Sequence, residues 1–418
     1  MIDRKRLISW LLLIASLCLI YSWPLQVAFG EKIGYWVFGV ISAVIFLLTI
    51  DARWSPILSG YCLIIAFVVL MQMAFVSLSM QQAFLPLATY LFVPMIYGRT
   101  FMQEDQLRWL LKSLLIIVPI NFLGILLQFS GYVDNLLQVD MTETLGIVHE
   151  RYTSFVGGSL MLGYVSMLNS IVALYYLVFS EKKIQRILFG LLFLLASITL
   201  FYSFSRRFYL LWIVAVLLIP TYRYGWRSMF SAFLAGGVLI LSVVMAGNLF
   251  RNVSNSDHIS ISDRILSTFV IHDGSGNDIR MMKNLQSLNL TISNPLLGMG
   301  VGSVGTIGKT REELIDNFKD AVIAETYYLH IGVDFGIIVA TLFTVMMVYL
   351  AFISIKKFKY SGRLSALIVL LYPIESFVGA ALYGVFPAFI FWISICVLLS
   401  DTYFKFYYQI RCNKAILN

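Results

Sequence analysis

The stretch LSGYCLIIAFVVLMQMAFV, Leu58–Val76, holds nineteen residues without an Asp, Glu, Lys, Arg or His. A helix of about 17–25 apolar residues crosses the hydrocarbon layer of a bilayer. Inside that layer every backbone N–H and C=O must pair within the protein, so a run of this kind has to be helical. The rest of the chain repeats the pattern. Of 418 residues, 60% are hydrophobic and 12% are charged, and mean hydropathy is +0.85. Soluble domains carry roughly twice that charge fraction. The alternation over ~10 residues that marks a membrane barrel is not found. Composition therefore establishes an all-α, polytopic integral membrane protein, read as a single transmembrane domain over residues 1–418.

Twelve spans are expected: Leu7–Ala28, Ile33–Ile50, Leu58–Val76, Phe84–Tyr97, Leu110–Phe129, Leu160–Phe179, Ile187–Phe204, Phe208–Pro220, Met229–Ala246, Phe335–Ile355, Leu364–Ala381 and Val385–Leu399. The fourth and eighth are short, as tilted, distorted or re-entrant elements are. Pro24, Pro86, Pro94, Pro119, Pro373 and Pro387 fall within or beside spans and predict kinks. MIDRKR before Leu7 resembles the start of a secretory signal, but no small-x-small cleavage site follows, so the first span reads as uncleaved. Cys18, Cys62 and Cys396 lie in apolar runs and Cys412 in the tail, which gives no disulfide framework.

Lys and Arg set the sidedness. Nineteen of the thirty basic residues fall on one side of this threading, among them Arg4-Lys5-Arg6, Arg108/Lys112, Lys182-Lys183, Arg223/Arg227 and Lys356-Lys357. That side is assigned to the cytoplasm, with both termini. The other side receives two long loops, residues 130–159 and 247–334, the second with helical parts, and a short connection at Ser205-Arg206-Arg207.

GMGVGSVGTIGKT, Gly298–Thr310, falls in the second outer loop. It contains a literal G-x-G-x-x-G and ends like a phosphate-binding loop. The first glycine of that loop motif would have to be residue 303, which is Ser303, and no strand–turn–helix unit surrounds it. On the outer side, away from nucleotides, the stretch reads as a tight turn. Its glycines allow positive φ and bring the loop back against the bundle.

Eleven basic residues remain outside, seven of them Arg. Lys309, Arg311 and Lys319 interleave with acids as a solvated helix face does. Arg206 and Arg207 sit where short loops avoid positive charge. Snorkelling to headgroups is one reading. The other is recognition of a diphosphate, for which the planar guanidinium fork is suited. Arg151, Arg264 and Arg280 lie in the same outer loops and are candidates for the same anion. Glu325 and Asp334 flank TYYLHIGV before the tenth span, with His330 five residues after Glu325 and off its face. Glu375 is an ionisable group inside the eleventh span, and such groups are functional or polar contacts by default. Asp257, His258, Asp263, His272 and Asp273 lack persuasive metal spacing.

Four stretches carry a resemblance: RYTSFVGGSLMLG, SFSRRFYLL, IRMMKNLQSLNLTISNPLLGMGVG and AETYYLHIGVDFG. In order and loop placement, over roughly residues 150–340, the chain resembles the O-antigen polymerase and ligase family of bacterial inner membranes. The resemblance implies a GT-C-like membrane glycosyltransferase. Such an enzyme moves a glycan from undecaprenyl diphosphate to a sugar hydroxyl at the periplasmic face, with no metal, nucleotide or other cofactor and no nucleic-acid partner. Its substrates would be undecaprenyl-diphosphate-linked donor and acceptor. A chain-length regulator and a flippase are implied as partners. In ligases the fourth segment begins Ala-His-Asn, and that His is the supposed base. Glu325 stands there instead, which favours the polymerase branch. Arg151, Arg206 and Arg280, with Arg207 and Arg264 in reserve, become the diphosphate ligands. Glu325 becomes the base, and Tyr327, Tyr328 and His330 become weaker substrate contacts. The rival of another class, a lipid-linked oligosaccharide flippase, would more often show similar halves and charges buried mid-membrane.

Overall fold

A computed structural model of the chain describes residues 4–30, 32–76, 86–99, 101–130, 137, 139–144, 147–238, 241, 276–303, 324 and 326–416; for 139–144, 147–150, 276–279 and 401–416 it describes the backbone alone. The helices are α1 (Arg4–Ile20), α2 (Ser22–Phe29), α3 (Ile33–Leu48), α4 (Pro56–Phe75), α5 (Val93–Tyr97), α6 (Glu104–Ser113), α7 (Ile117–Phe129), α8 (Ser159–Phe179), α9 (Lys183–Tyr202), α10 (Arg206–Tyr224), α11 (Gly276–Ser293), α12 (Tyr327–Phe335), α13 (Ile337–Ser361), α14 (Leu364–Val378) and α15 (Val385–Ile416). Residues 227–238 are also helical. Before α8 lies an antiparallel hairpin, β1 (Val139–Thr144) and β2 (Ile147–Tyr152), in a register that sets Arg151 opposite Asp140.

Among the described residues five helices are long and apolar enough to cross a membrane: α4, the continuous Glu104–Phe129, α8, α9 and α13. The count is six if the bent pair α1–α2 is one span. Shorter apolar helices, Ile33–Leu48, Ala88–Tyr97, Leu364–Val378 and Val385–Ser400, fall on the expected second, fourth, eleventh and twelfth spans. The ninth reaches residues 239–246, of which only 241 is described.

Three prolines account for three irregularities. A proline ring displaces the carbonyl four residues earlier and supplies no N–H. Four residues before Pro24 is Ile20, where α1 ends and the axis turns by 71°. Four before Pro94 is Tyr90, in the π-helical turn Ala88–Phe92, and four before Pro119 is Leu115, in the 3-10 turn Leu114–Ile116. Pro220 and Pro373 lie inside continuous helices.

The chain divides into two compact units, one of residues 1–5, 44–107 and 280–418, the other of residues 6–43 and 108–279. In the second unit α7, α8, α9 and α10 pack as neighbours. The three-residue links 180–182 and 203–205 force α8, α9 and α10 to run antiparallel. α8 is buried along most of its length. Its polar core is paired: the Trp212 indole N–H donates to Ser170 Oγ at 2.8 Å and to Ser197 Oγ at 3.1 Å.

The first unit packs α12 to α15 with α4 and the π-helical turn. Arg99 is buried there. Its Nη1 donates to Thr49 O at 3.0 Å and its guanidinium covers the Phe46 ring at 3.9 Å.

The described part of the glycine stretch, Gly298–Ser303, is a turn within this first unit, as its glycines predict, and residues 304–310 lie outside the described residues. Gly298, Gly300 and Gly302 have φ of 67°, 103° and 81°. A Cβ at Gly298 would lie 2.5 Å from Val333 O, so only glycine fits that approach.

Candidate functional site

In the second unit two chain reversals meet at one end. The first follows β2. Gln128, one residue before the end of α7, accepts the Ser154 N–H at 2.8 Å and donates to Thr153 Oγ1 at 3.3 Å. Ser154 Oγ donates to Asn121 O at 2.8 Å. Gly124 makes room for this contact, since a Cβ there would sit 2.2 Å from Ser154 Oγ. These bonds pin the chain just after Arg151-Tyr152.

The second reversal joins α9 to α10 through Ser203-Phe204-Ser205. Ser203 Oγ donates to Leu200 O at 2.7 Å and Ser205 Oγ to Ser159 O at 3.4 Å. Tyr152 and Tyr202 bind the reversals together, with rings 5.9 Å apart, and Phe129 touches both at 6.2 and 5.9 Å. Arg151 thus comes to the same end of the unit as Arg206 and Arg207.

Each reversal carries a non-glycine residue with positive φ, Ser154 at 51° and Phe204 at 51°. Such conformations cost on the order of 1–3 kcal/mol each and collect where function fixes the backbone. They stand three residues after Arg151 and two before Arg206.

Sequence reading puts Arg206 and Arg207 in a connector. They are instead the first two residues of α10, because the connection is completed by Ser203 to Ser205. The change matters electrostatically. A helix N-terminus carries roughly half a positive charge, which favours anions. Two guanidiniums there add charge of the same sign, and a bound anion relieves it. Both side chains are half-buried. The Nε atoms of Arg207 and Arg151 are buried, and the Arg207 guanidinium lies 4.8 Å from the Phe208 ring centre.

Arg280 belongs to the first unit and is exposed near the start of α11. That helix packs through Ser287 and Thr291, both buried, with Thr291 against Gly332 of α12. Beyond α11 the glycine turn is clamped. Gln72 Nε2 donates to Leu297 O at 2.5 Å and to Asp334 O at 2.6 Å, and its Oε1 accepts the Val301 N–H at 3.1 Å. The Asp334 carboxylate accepts from Tyr90 OH at 3.1 Å and from Ser303 OH at 3.2 Å. Met299 N–H donates to Val333 O at 2.7 Å and Ile337 N–H to Pro295 O at 2.9 Å.

Tyr327 and His330 are buried on α12. Tyr327 packs on Tyr90 and Phe343, at 6.0 and 5.4 Å. His330 stacks on Tyr383 at 4.9 Å. Burial pushes the His330 imidazole down to about 4, and the Ala324 carbonyl opposes this in part. Tyr328 is half-buried, and its hydroxyl donates to Pro373 O at 3.4 Å. The buried Glu375 closes the end of α14 by accepting the Ala381 N–H at 2.8 Å. Glu325 and Arg264 lie outside the described residues.

Gln72, Tyr90 and Tyr202 escape sequence reading. The available signals are one amide in an apolar run, a tyrosine four residues before Pro94, and a tyrosine one turn before two arginines.

These features describe a multi-pass membrane protein with three arginines at one end of a helical unit. The O-antigen ligase family model matches residues 191–344, which supports the O-antigen ligase and polymerase family as that of the chain and a glycosyltransferase-like activity. No curated protein matches it. The matched range takes in Arg206, Arg207, Arg264, Arg280, Glu325 and the glycine turn, and begins after Arg151.

Proposed function

We propose that the protein is an O-antigen polymerase of the bacterial inner membrane, metal-independent, with both termini cytoplasmic. It transfers the growing glycan from undecaprenyl diphosphate to the sugar of an incoming undecaprenyl-diphosphate-linked repeat unit at the periplasmic face. The acceptor hydroxyl oxygen attacks the anomeric carbon, and the bond from that carbon to the diphosphate breaks. Undecaprenyl diphosphate leaves with the electron pair, and the hydroxyl proton passes to the Glu325 carboxylate. Arg151 and Arg206 hold the departing diphosphate, with Arg207 in reserve, and Arg280 and Arg264 stand as the further candidates of the sequence.

The observation that carries this reading is the placement of Arg151, Arg206 and Arg207 at one end of the second unit, next to two strained reversals joined by Tyr152 and Tyr202. Charge grows on the diphosphate as the bond breaks, and fixed guanidiniums in a site of low dielectric stabilise it more than they stabilise the ground state. Glu325 in place of the ligase histidine favours polymerase. The description of the matched family favours the ligase, which would use lipid A–core as acceptor.

One experiment separates them. Deletion of this chain alone leaves single repeat units on the core if it is the polymerase, and leaves the core bare if it is the ligase. Purified protein given the lipid-linked repeat unit makes a ladder of polymer lengths. Failure to make one, together with failure to load lipid A–core when that acceptor is supplied, would remove the enzyme reading in favour of transport.

A further inference from the structure

The opposite end of the second unit, about 30 Å away along the 21 residues of α8, carries a different arrangement of positive charge. Five rings from three helices form a continuous plate that folds at a right angle between Tyr175 and Tyr176. Phe189 stacks on Tyr176 at 5.1 Å, Tyr176 meets Tyr175 at 5.6 Å, Tyr175 meets Phe179 at 4.6 Å and Phe179 meets Tyr222 at 5.8 Å. Three cations lie over it. Lys112 Nζ is 5.4 Å from the Tyr176 centre and 5.6 Å from that of Phe189. The Arg108 guanidinium is 5.6 Å from Tyr175 and that of Arg223 is 6.0 Å from Phe179. A cation within about 6 Å of a ring centre is attracted to its face. The rings thus hold these side chains in place, with Lys112 and Arg223 exposed and Arg108 half-buried.

Two observations point to a ligand. Lys112 and Arg223 are exposed, and neither forms a salt bridge among the described residues. Residues 104–130 and 159–230 supply Arg108, Lys112, Lys182, Lys183, Arg186, Arg223 and Arg227 at this end, against three acids, Glu181, Asp105 and Glu104, of which Glu104 accepts the Leu364 N–H. Tyr224 and Trp226, 59% and 75% exposed, stand beside them, as aromatic residues do where apolar helices meet the headgroup layer.

We propose that this plate is a binding site for the headgroup of an anionic phospholipid. The phosphate sits against Lys112, Arg108 and Arg223, and the acyl chains run along the apolar faces of α7, α9 and α10. The site is separate from the one proposed for the transferred diphosphate, and it stands whether or not that reading does.

The test is lipid retention. The full-length protein is placed in bilayers of phosphatidylglycerol and phosphatidylcholine at a fixed ratio and extracted. The lipids that stay bound are counted by native mass spectrometry. Wild type is expected to retain phosphatidylglycerol selectively, and each neutralisation, Arg108→Gln, Lys112→Gln or Arg223→Gln, to lower that selectivity about fivefold. Lys112→Arg keeps it, which separates charge from folding. Tyr176→Leu lowers it about two- to fivefold with no change of charge. Lys356→Gln, a basic residue of the other unit, leaves it unchanged. Equal retention of the two lipids, an equal loss from Lys356→Gln, or displacement of the phospholipid by millimolar inorganic diphosphate would each overturn the proposal.

Discussion

Gly298→Ala tests whether the turn after α11 is held by contact or only by conformation. Two costs add at this position. With φ at 67° the residue is left-handed, a region that costs an L-residue with a Cβ about 1–2 kcal/mol. The new Cβ would also meet Val333 O at 2.5 Å, Asp334 C at 2.7 Å and Gly336 N at 2.7 Å. These are backbone atoms of a buried helix end, and no side chain there can swing aside. Overpacking of that kind costs about 1–3 kcal/mol. The total is about 2–5 kcal/mol. Gly30 supplies the control: its φ is 76°, and a Cβ there meets nothing within 4 Å. Gly30→Ala should therefore lose only the conformational part, about 1–2 kcal/mol. Both variants are unfolded by dodecyl sulfate titration in mixed micelles, with tryptophan fluorescence as the signal. Gly298→Ala is expected to unfold at clearly lower detergent fraction than Gly30→Ala. Equal midpoints would refute the close approach and, with it, the clamp that depends on it.

Other outcomes follow from the same geometry. Arg206→Ala should abolish chain elongation while the protein stays in the membrane, since one lost donor of this kind costs about 3–4 kcal/mol, or 10²–10³ in rate; normal polymer lengths from that strain would remove Arg206 from the site. Gln72→Leu strands the Val301 N–H and frees two carbonyls in a buried place, at about 1–3 kcal/mol for each group left unsatisfied, and is read by the same titration. His330 makes stability depend on pH. Its folded value of about 4 lies below the ordinary 6.5, so the unfolded chain binds the extra proton between those values. Stability is complete above about pH 6.5 and falls as the pH drops toward 4, by on the order of 3 kcal/mol; His330→Asn should flatten that slope in thermal melts between pH 5 and 7.5.

What the sequence discloses here is what short-range physics governs. α4 and α8 lie within two residues of the expected third and sixth spans, because length and hydropathy alone decide them. The glycine turn is legible because positive φ leaves its mark on residue type. Prolines forecast irregular helix, and the structure adds that the break falls four residues upstream. The hairpin β1–β2 is hidden, since VDMTET and IVHERY are short, polar and set in a loop. The boundary at Arg206 is missed because hydropathy pushes charged residues out of a span, whereas three residues suffice to turn the chain. Least legible is the clamp at Gln72. Its partners lie 225 to 262 residues away in the chain, and no local pattern encodes a pairing over that separation.

That separation sets an order of assembly. Ribosomes add about 5–20 residues each second. Residue 334 therefore follows Gln72, 262 positions earlier, by on the order of tens of seconds. Throughout that interval α4 must reside in the bilayer with its carboxamide waiting, and before it ends the unit made of residues 6–43 and 108–279 has been synthesised in full. Translation thus finishes the later-starting half first, and the earlier-starting half closes only when the final third of the polypeptide arrives.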